Sequence, residues 1–188
     1  ANELSIICDK FDINVWELIK LANHHPRVNI LEPGPGVGGH CIAVDPWFIV
    51  ARNPQHAKLI KAARQVNDFK PSWVVDNIVT IAESKASVLG RPVRIGCLGL
   101  VFKPDIDDLR ESPALQVTKM LIERGYDVVA VEPNIESADG ISLCDSEMVM
   151  QDADVIAVLV AHSSFCESYF KEKLRAFGAL DFCGALNG

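Results

Sequence analysis

Residues 93–133 read VRIGCLGLVFKPDIDDLRESPALQVTKMLIERGYDVVAVEP, and the order of signals in this stretch decides the fold. VRIGCLGLV (93–101) is a short apolar run between Pro92 and a charged segment, which predicts a buried strand. Ser112 followed by Pro113 is a helix N-cap with proline at the first helical position, so a helix is expected through Val117 and Leu121. Gly125 stands where a helix ends on a residue tolerant of left-handed dihedrals, and DVVAVEP (127–133) follows as a second strand. Strand, helix and strand in this order are a βαβ unit, the building block of an open α/β sheet.

Towards the C-terminus, VIAVLVA (155–161) reads as a further strand, 165–176 as an amphipathic helix and ALDF (179–182) as a last short strand. Towards the N-terminus the character changes at Gly90. From Pro54 to about Val88 the apolar residues Leu59, Ala62, Ala63 and Val66, then Val74, Ile78 and Ile81, recur at helical spacing, and Pro71 is expected to kink or divide that helix. Residues 1–25 read as helical with a break at Asp12 to Asn14, closed by His24, His25 and Pro26. The fold class is therefore α/β: a helical domain over 1–90 followed by a Rossmann-like, open parallel-sheet domain over 91–188. A 90-residue helical segment with an apolar stripe and no closed core of its own needs a partner surface, which predicts a homodimer.

Composition narrows the function classes. The chain has 188 residues, 49% of them hydrophobic and 23% charged, as an ordinary globular protein does. A net charge of −7 without a segregated basic stripe argues against a nucleic-acid partner. Apolar runs such as 155–161 are far below the ~20 residues of a spanning helix, so no membrane partner is expected either. No charged-then-apolar leader opens the sequence, and it reads as cytoplasmic. Six cysteines at wide, irregular intervals form neither a zinc pattern nor a compact disulfide framework, and most are expected to be small buried residues. His162 and Cys166 are the best metal-like pair, but one pair without a second gives no metal site. The first methionine is Met120, and the helical spacing of Leu4, Ile7, Cys8 and Phe11 opens without a capping residue, which reads as a piece of something longer.

Two loops carry the candidate chemistry. LEPGPGVGGHCIAVDP (31–46) leaves its backbone bare at Gly34, Gly36, Gly38 and Gly39, so main-chain amides can approach a ligand beside Cys41. On residues alone, Cys41 is either a nucleophile served by this loop or a packed cysteine at a corner. Asp45, four residues on, is placed to orient water or a neighbouring base. His40 is a poor base for Cys41, because adjacent side chains on extended chain face opposite ways. FKPDIDDLRES (102–112) follows the first strand, where open α/β sheets bind ligands, and reads either as a ligand loop or as a solvated, salt-bridged one. Gly96 and Gly99 lack the third glycine of a dinucleotide fingerprint, and Glu132 lies beyond the usual spacing, so this half is a poor NAD site by motif.

Four segments in order, NELSIIC (2–8), HPRVNI (25–30), GPGVGGHCIAVDPWF (34–48) and GLVFKPDIDDLRESPA (99–114), resemble the central and C-terminal parts of the nucleotide-sugar 6-dehydrogenases, the UDP-glucose/GDP-mannose dehydrogenase family. The resemblance implies a central dimerisation domain and a C-terminal UDP-sugar-binding domain of an NAD-dependent enzyme that serves surface polysaccharide synthesis. Such an enzyme oxidises a sugar C6 alcohol to a carboxylate in two steps. Cys41 matches the nucleophile that captures the aldehyde, and Asp45 the aspartate assisting hydrolysis. Glu32, Gly34, Gly36, Val37 and Gly38 match the sugar loop, with Asn29 beside it. Phe102 and Lys103 match a UDP-sugar-contacting pair. Arg27 resembles an arginine reaching substrate from the partner subunit, and Arg110 one that contacts NAD. The family's catalytic lysine, its nearby asparagine, the acid/base glutamate and the NAD-binding glycines have no counterpart in these residues. The tail DFCGALNG (181–188) departs from the relatives' substrate-contacting lysine and arginine, so no site is assigned there. The chain alone is expected to be inactive. Alternatives are a UDP-sugar-binding dimerisation module without chemistry, a dehydrogenase of another UDP-sugar such as UDP-glucose, or a cysteine hydrolase.

Overall fold

A computed structural model describes residues 1–187; Gly188, the last residue of the tail, lies outside them. The expected βαβ unit is present: β1 (Arg94–Leu98), α5 (Pro113–Glu123) and β2 (Asp127–Val131), with β1 and β2 parallel from Arg94 opposite Asp127 to Leu98 opposite Val131. Ser112 caps α5 by accepting the Leu115 N–H at 3.3 Å, and Gly125 takes the left-handed conformation just past its end.

Two elements follow that the sequence did not signal, β3 (Ser142–Leu143) and α6 (Ser146–Asp152), and then β4 (Val155–Val158), α7 (Ser163–Cys166), α8 (Ser168–Phe177) and β5 (Leu180–Asp181). The sheet order is β3-β2-β1-β4-β5, all pairs parallel, so the strand order reverses beside β1. The helix expected over 165–176 is two helices, broken at an extended Glu167. Phe165 and Phe170 are both buried with ring centroids 5.9 Å apart. Five residues along one continuous helix would set them about 140° apart, and the break lets both face the core.

The helical part comprises α1 (Asn2–Asp9), α2 (Val15–Ala22), α3 (Asp45–Arg52) and α4 (Lys58–Leu89). The break at 12–14 is where expected, with Asp12 at φ 54 and Asn14 capping α2. Pro71 does not divide α4, which runs unbroken for 32 residues from Lys58 rather than Pro54. Packing overrides the local penalty: Val74, Val75, Ile78 and Ala82 of α4 lie in one core with Ile95 and Cys97 of β1, Ala130 of β2 and Val117 and Leu121 of α5. The opposite sheet face is covered by Val149 of α6, Phe165 of α7 and Phe170 and Leu174 of α8. The sheet's packing unit therefore reaches back along α4 across the change of pattern at Gly90. No described helix is long and apolar enough to cross a membrane. The cysteines are less uniformly buried than expected. Cys8 and Cys97 are buried, Cys144 and Cys183 half-buried, and Cys41 and Cys166 exposed.

Candidate active site

The glycine-rich loop is extended chain held by side chains from the helices. Asn67 of α4 grips Val37 at both ends, accepting its N–H at 2.8 Å and donating to its carbonyl at 3.3 Å. Asn2 accepts the Gly34 N–H at 3.0 Å and donates to Asn67 at 3.4 Å. Nothing in the sequence points to this pair, because its members are 65 residues apart.

Beyond the loop the chain winds into a turn. The Cys41 carbonyl accepts the N–H groups of Val44 (3.0 Å) and Asp45 (2.8 Å), which sets Cys41 and Asp45 one helical turn apart at the start of α3. Both are exposed. The two candidate loops then meet: the Gly39 N–H donates to the Arg110 carbonyl at 3.2 Å, and Gly39 sits at φ 89 against the Phe102 ring. Gly38 is buried at the same contact, where a Cβ would stand 2.8 Å from Phe102 Cβ and from Pro113 Cδ.

Arg110 grips Asp108 through Nε, 3.0 Å from both carboxylate oxygens, and Nη2, 2.6 Å from one. That pairing holds the Asp108 carboxyl down to about 2. The Arg110 pKa is raised, first by Asp108 and in smaller measure by Cys41. A second cysteine, Cys183, lines the neighbouring cleft. Burial, then Asp181, push its thiol well above the ordinary value.

Glu32, Gly34 and Gly36 form one wall of a cleft of about 330 Å³ whose other wall is Phe102 and Pro104, with Leu159 to Ala161 beyond the end of β4. The cleft thus opens at the carboxyl ends of the strands, beside the point where strand order reverses. Lys103 is exposed at its edge in sequence, and among the described residues no acceptor engages its ammonium. Val37 faces elsewhere, lining a separate 520 Å³ cavity with Leu59, Ala62 and Ala63. Arg27 and Asn29 are exposed on the turn after α2 and do not line the cleft.

These residues do not fit an NAD cradle. Gly99 is packed against Val160 rather than open to a pyrophosphate. Glu132, at the end of β2 where a ribose-binding carboxylate would stand, is buried and accepts the N–H groups of Leu100 (2.7 Å) and Val101 (3.2 Å). Sequence reasoning weighed Glu132 only as a ribose carboxylate, set aside on its spacing, and His162 only as half of a metal pair; their place at strand ends was the available signal for a joint role. His162 is fully buried and its Nε2 lies 3.1 Å from Glu132.

Comparison with known proteins agrees with this geometry. Residues 1–69 match the central domain of the UDP-glucose/GDP-mannose dehydrogenase family and residues 96–187 its UDP-binding domain. A UDP-N-acetyl-D-mannosamine dehydrogenase of Campylobacter jejuni is 58% identical over 175 residues, covering 89% of this chain and 42% of that protein. The Escherichia coli K12 enzyme of the same name is 53% identical over 174 residues, covering 88% and 41%. Among solved structures, the UDP-N-acetyl-mannosamine dehydrogenase of Staphylococcus aureus superposes with a TM-score of 0.76 at 41% identity, over 90% of this chain and 40% of that one. A UDP-D-ManNAc dehydrogenase of Pyrococcus horikoshii gives 0.82 at 29% identity, over 98% and 44%. The chain spans about two fifths of the length of the curated relatives it matches. By both family matches, the chain belongs to the UDP-glucose/GDP-mannose dehydrogenase family.

Proposed function

We propose that this chain supplies the central and UDP-binding parts of a UDP-N-acetyl-D-mannosamine 6-dehydrogenase acting in the cytoplasm for surface polysaccharide synthesis. The observation that carries the reading is the meeting of the two loops: the segment bearing Cys41 abuts Phe102 and Arg110, and Phe102 lines a cleft at the strand ends, although Cys41 itself is not in that lining. The unpaired ammonium of Lys103 receives the diphosphate, and Phe102 the uridine or sugar face. Arg110 would be the contact on this side for NAD, which these residues do not hold by themselves and which would supply the hydride-accepting chemistry when bound by the rest of the enzyme. Between them the chain's own groups act. Cys41 captures the C6 aldehyde as a thiohemiacetal and later carries the acyl group as a thioester. Asp45, one turn away, orients the water that releases the carboxylate. Arg27, exposed on the turn after α2, reaches the site of a second subunit. A homodimer is supported by large apolar side chains exposed on the helical part, among them Phe11 (70%), Leu21 (68%), Phe48 (68%) and Leu59 (83%).

Calorimetry tests the nucleotide assignment. UDP is expected to bind, with at least ten-fold weaker binding in Lys103→Ala; no heat at millimolar UDP defeats the reading. With UDP-N-acetylmannosamine and NAD, the 188-residue chain alone is expected to give no NADH absorbance, as a module that binds and associates without turnover. Light scattering showing a monomer at micromolar concentration would remove the role given to Arg27.

A further inference from the structure

Resting on that reading of Phe102 and Lys103, we propose that the buried Glu132–His162 pair is the positioning device of the nucleotide-binding loop. Glu132 ends β2 and His162 follows β4, so they stand on either side of β1, whose continuation carries Phe102 and Lys103. Both side chains are fully buried and bonded to each other at 3.1 Å. From this pair the chain is held on both sides of the binding residues. Before them, Glu132 Oε2 accepts the Leu100 and Val101 N–H groups at 2.7 and 3.2 Å. After them, His162 Nδ1 accepts the Asp105 N–H at 3.0 Å. Residues 102–104 are thus an arch with both feet on one buried pair.

The foot at Asp105 needs that hold. Asp105 sits at φ 59, a left-handed conformation that persists in a non-glycine residue where its surroundings over-determine it. Its carboxylate adds two bonds, accepting the Ser163 N–H at 2.9 Å and the Ser163 hydroxyl. The bonding also fixes the imidazole. A backbone N–H only donates, so Nδ1 is the acceptor and Nε2 carries the proton that goes to Glu132. Burial alone would raise the Glu132 carboxyl, but the bonds from His162, Leu100 and Asn134 outweigh it and hold it below its ordinary value. In this arrangement Glu132 Oε2 is the acceptor at one foot and His162 Nδ1 the acceptor at the other.

Two substitutions separate positioning from mere packing. Asparagine at 162 places its carbonyl oxygen near the Nδ1 position and keeps the foot at Asp105. Glutamine places its polar end near Nε2, keeping Glu132 company but leaving the Asp105 N–H without an acceptor. In UDP calorimetry His162→Asn is expected to bind within about three-fold of the unsubstituted chain and His162→Gln about ten-fold more weakly, the loss of one buried hydrogen bond. Equal affinities in the two variants, or the reverse order, overturn the proposal. Should either variant fail to fold, hydrogen exchange on the unsubstituted chain decides. The Asp105 amide, on an exposed residue, is expected to be protected alongside the Leu100 amide, and exchange at the rate of an open loop overturns the proposal. Failure of the unsubstituted chain to bind UDP would defeat the functional reading, while the exchange measurement would still judge the positioning role.

Discussion

Replacing Gly38 by alanine tests whether the contact between the two loops sets the position of the thiol. An added Cβ would meet Phe102 Cβ and Pro113 Cδ at 2.8 Å and the Glu111 carbonyl oxygen closer still. Ordinary contact lies near 3.5–4 Å, so the facing segments must part by about 1 Å. None of the three obstacles is the free end of a flexible side chain. Phe102 Cβ is the root of its ring, Pro113 opens α5, and Glu111 is backbone already at φ 49. Overpacking of this kind costs about 1–3 kcal/mol, a fraction of the ~5–15 kcal/mol of a typical domain, so the variant should fold. The displacement falls three residues before Cys41, and misplacement of a reacting group by about 1 Å costs on the order of 100-fold in rate. Urea unfolding should show a lower midpoint for Gly38→Ala and none for Gly34→Ala, whose Cβ meets nothing within 4 Å. Site-resolved alkylation by mass spectrometry should show UDP-sugar shielding Cys41 in the unsubstituted chain and failing to shield it in Gly38→Ala. An unchanged midpoint together with full shielding would refute the argument that this contact places the thiol.

Other expectations follow from the polar groups. Lys70 of α4 is 2% exposed, bonded to Ser5 Oγ at 2.6 Å and 3.8 Å above the Trp73 ring; burial lowers its pKa from 10.5 to about 8 despite Asp9. Between those values the unfolded chain binds the extra proton, so stability should rise with pH, and at pH 7 the buried ammonium costs about 3 kcal/mol. Lys70→Met should gain about 2 kcal/mol at pH 7 after losing the Ser5 bond, an advantage that shrinks towards pH 10 in urea titrations; a loss at pH 7 would show the cation to be well paired. Asn67→Ala removes both bonds to Val37 and should cost about 1–3 kcal/mol and speed alkylation of Cys41, whereas an unchanged rate would mean the glycine-rich loop holds itself. Glu132, with its folded pKa below the ordinary carboxyl value, contributes stability that is complete above that value and lost as pH falls through the folded one. Denaturation midpoints from pH 7 downwards should therefore drop less steeply in Glu132→Gln, and parallel curves would contradict the assignment.

What the amino-acid order determined by itself is what neighbours in sequence can determine. The strand read over 93–101, the Ser112–Pro113 cap, the end of α5 at Gly125 and the break before α2 each rest on backbone preferences and apolar spacing within one element, and each is present, the strand shortened to Arg94–Leu98. The glycine-rich loop and the loop after β1 could be singled out for the same reason. Wherever distant packing competed with a local preference, tertiary structure decided. Pro71 lies inside a helix that packing in one core keeps unbroken, and two phenylalanines five residues apart split one amphipathic run into α7 and α8. The two-residue β3 exists only because β2 offers it a partner. The site follows the same rule. Its loops are visible in the sequence, but what fixes them, Asn2 with Asn67 and Glu132 with His162, joins residues tens of positions apart. A hydrogen bond between buried groups depends on their separation in space, which the folded chain sets and local sequence spacing does not.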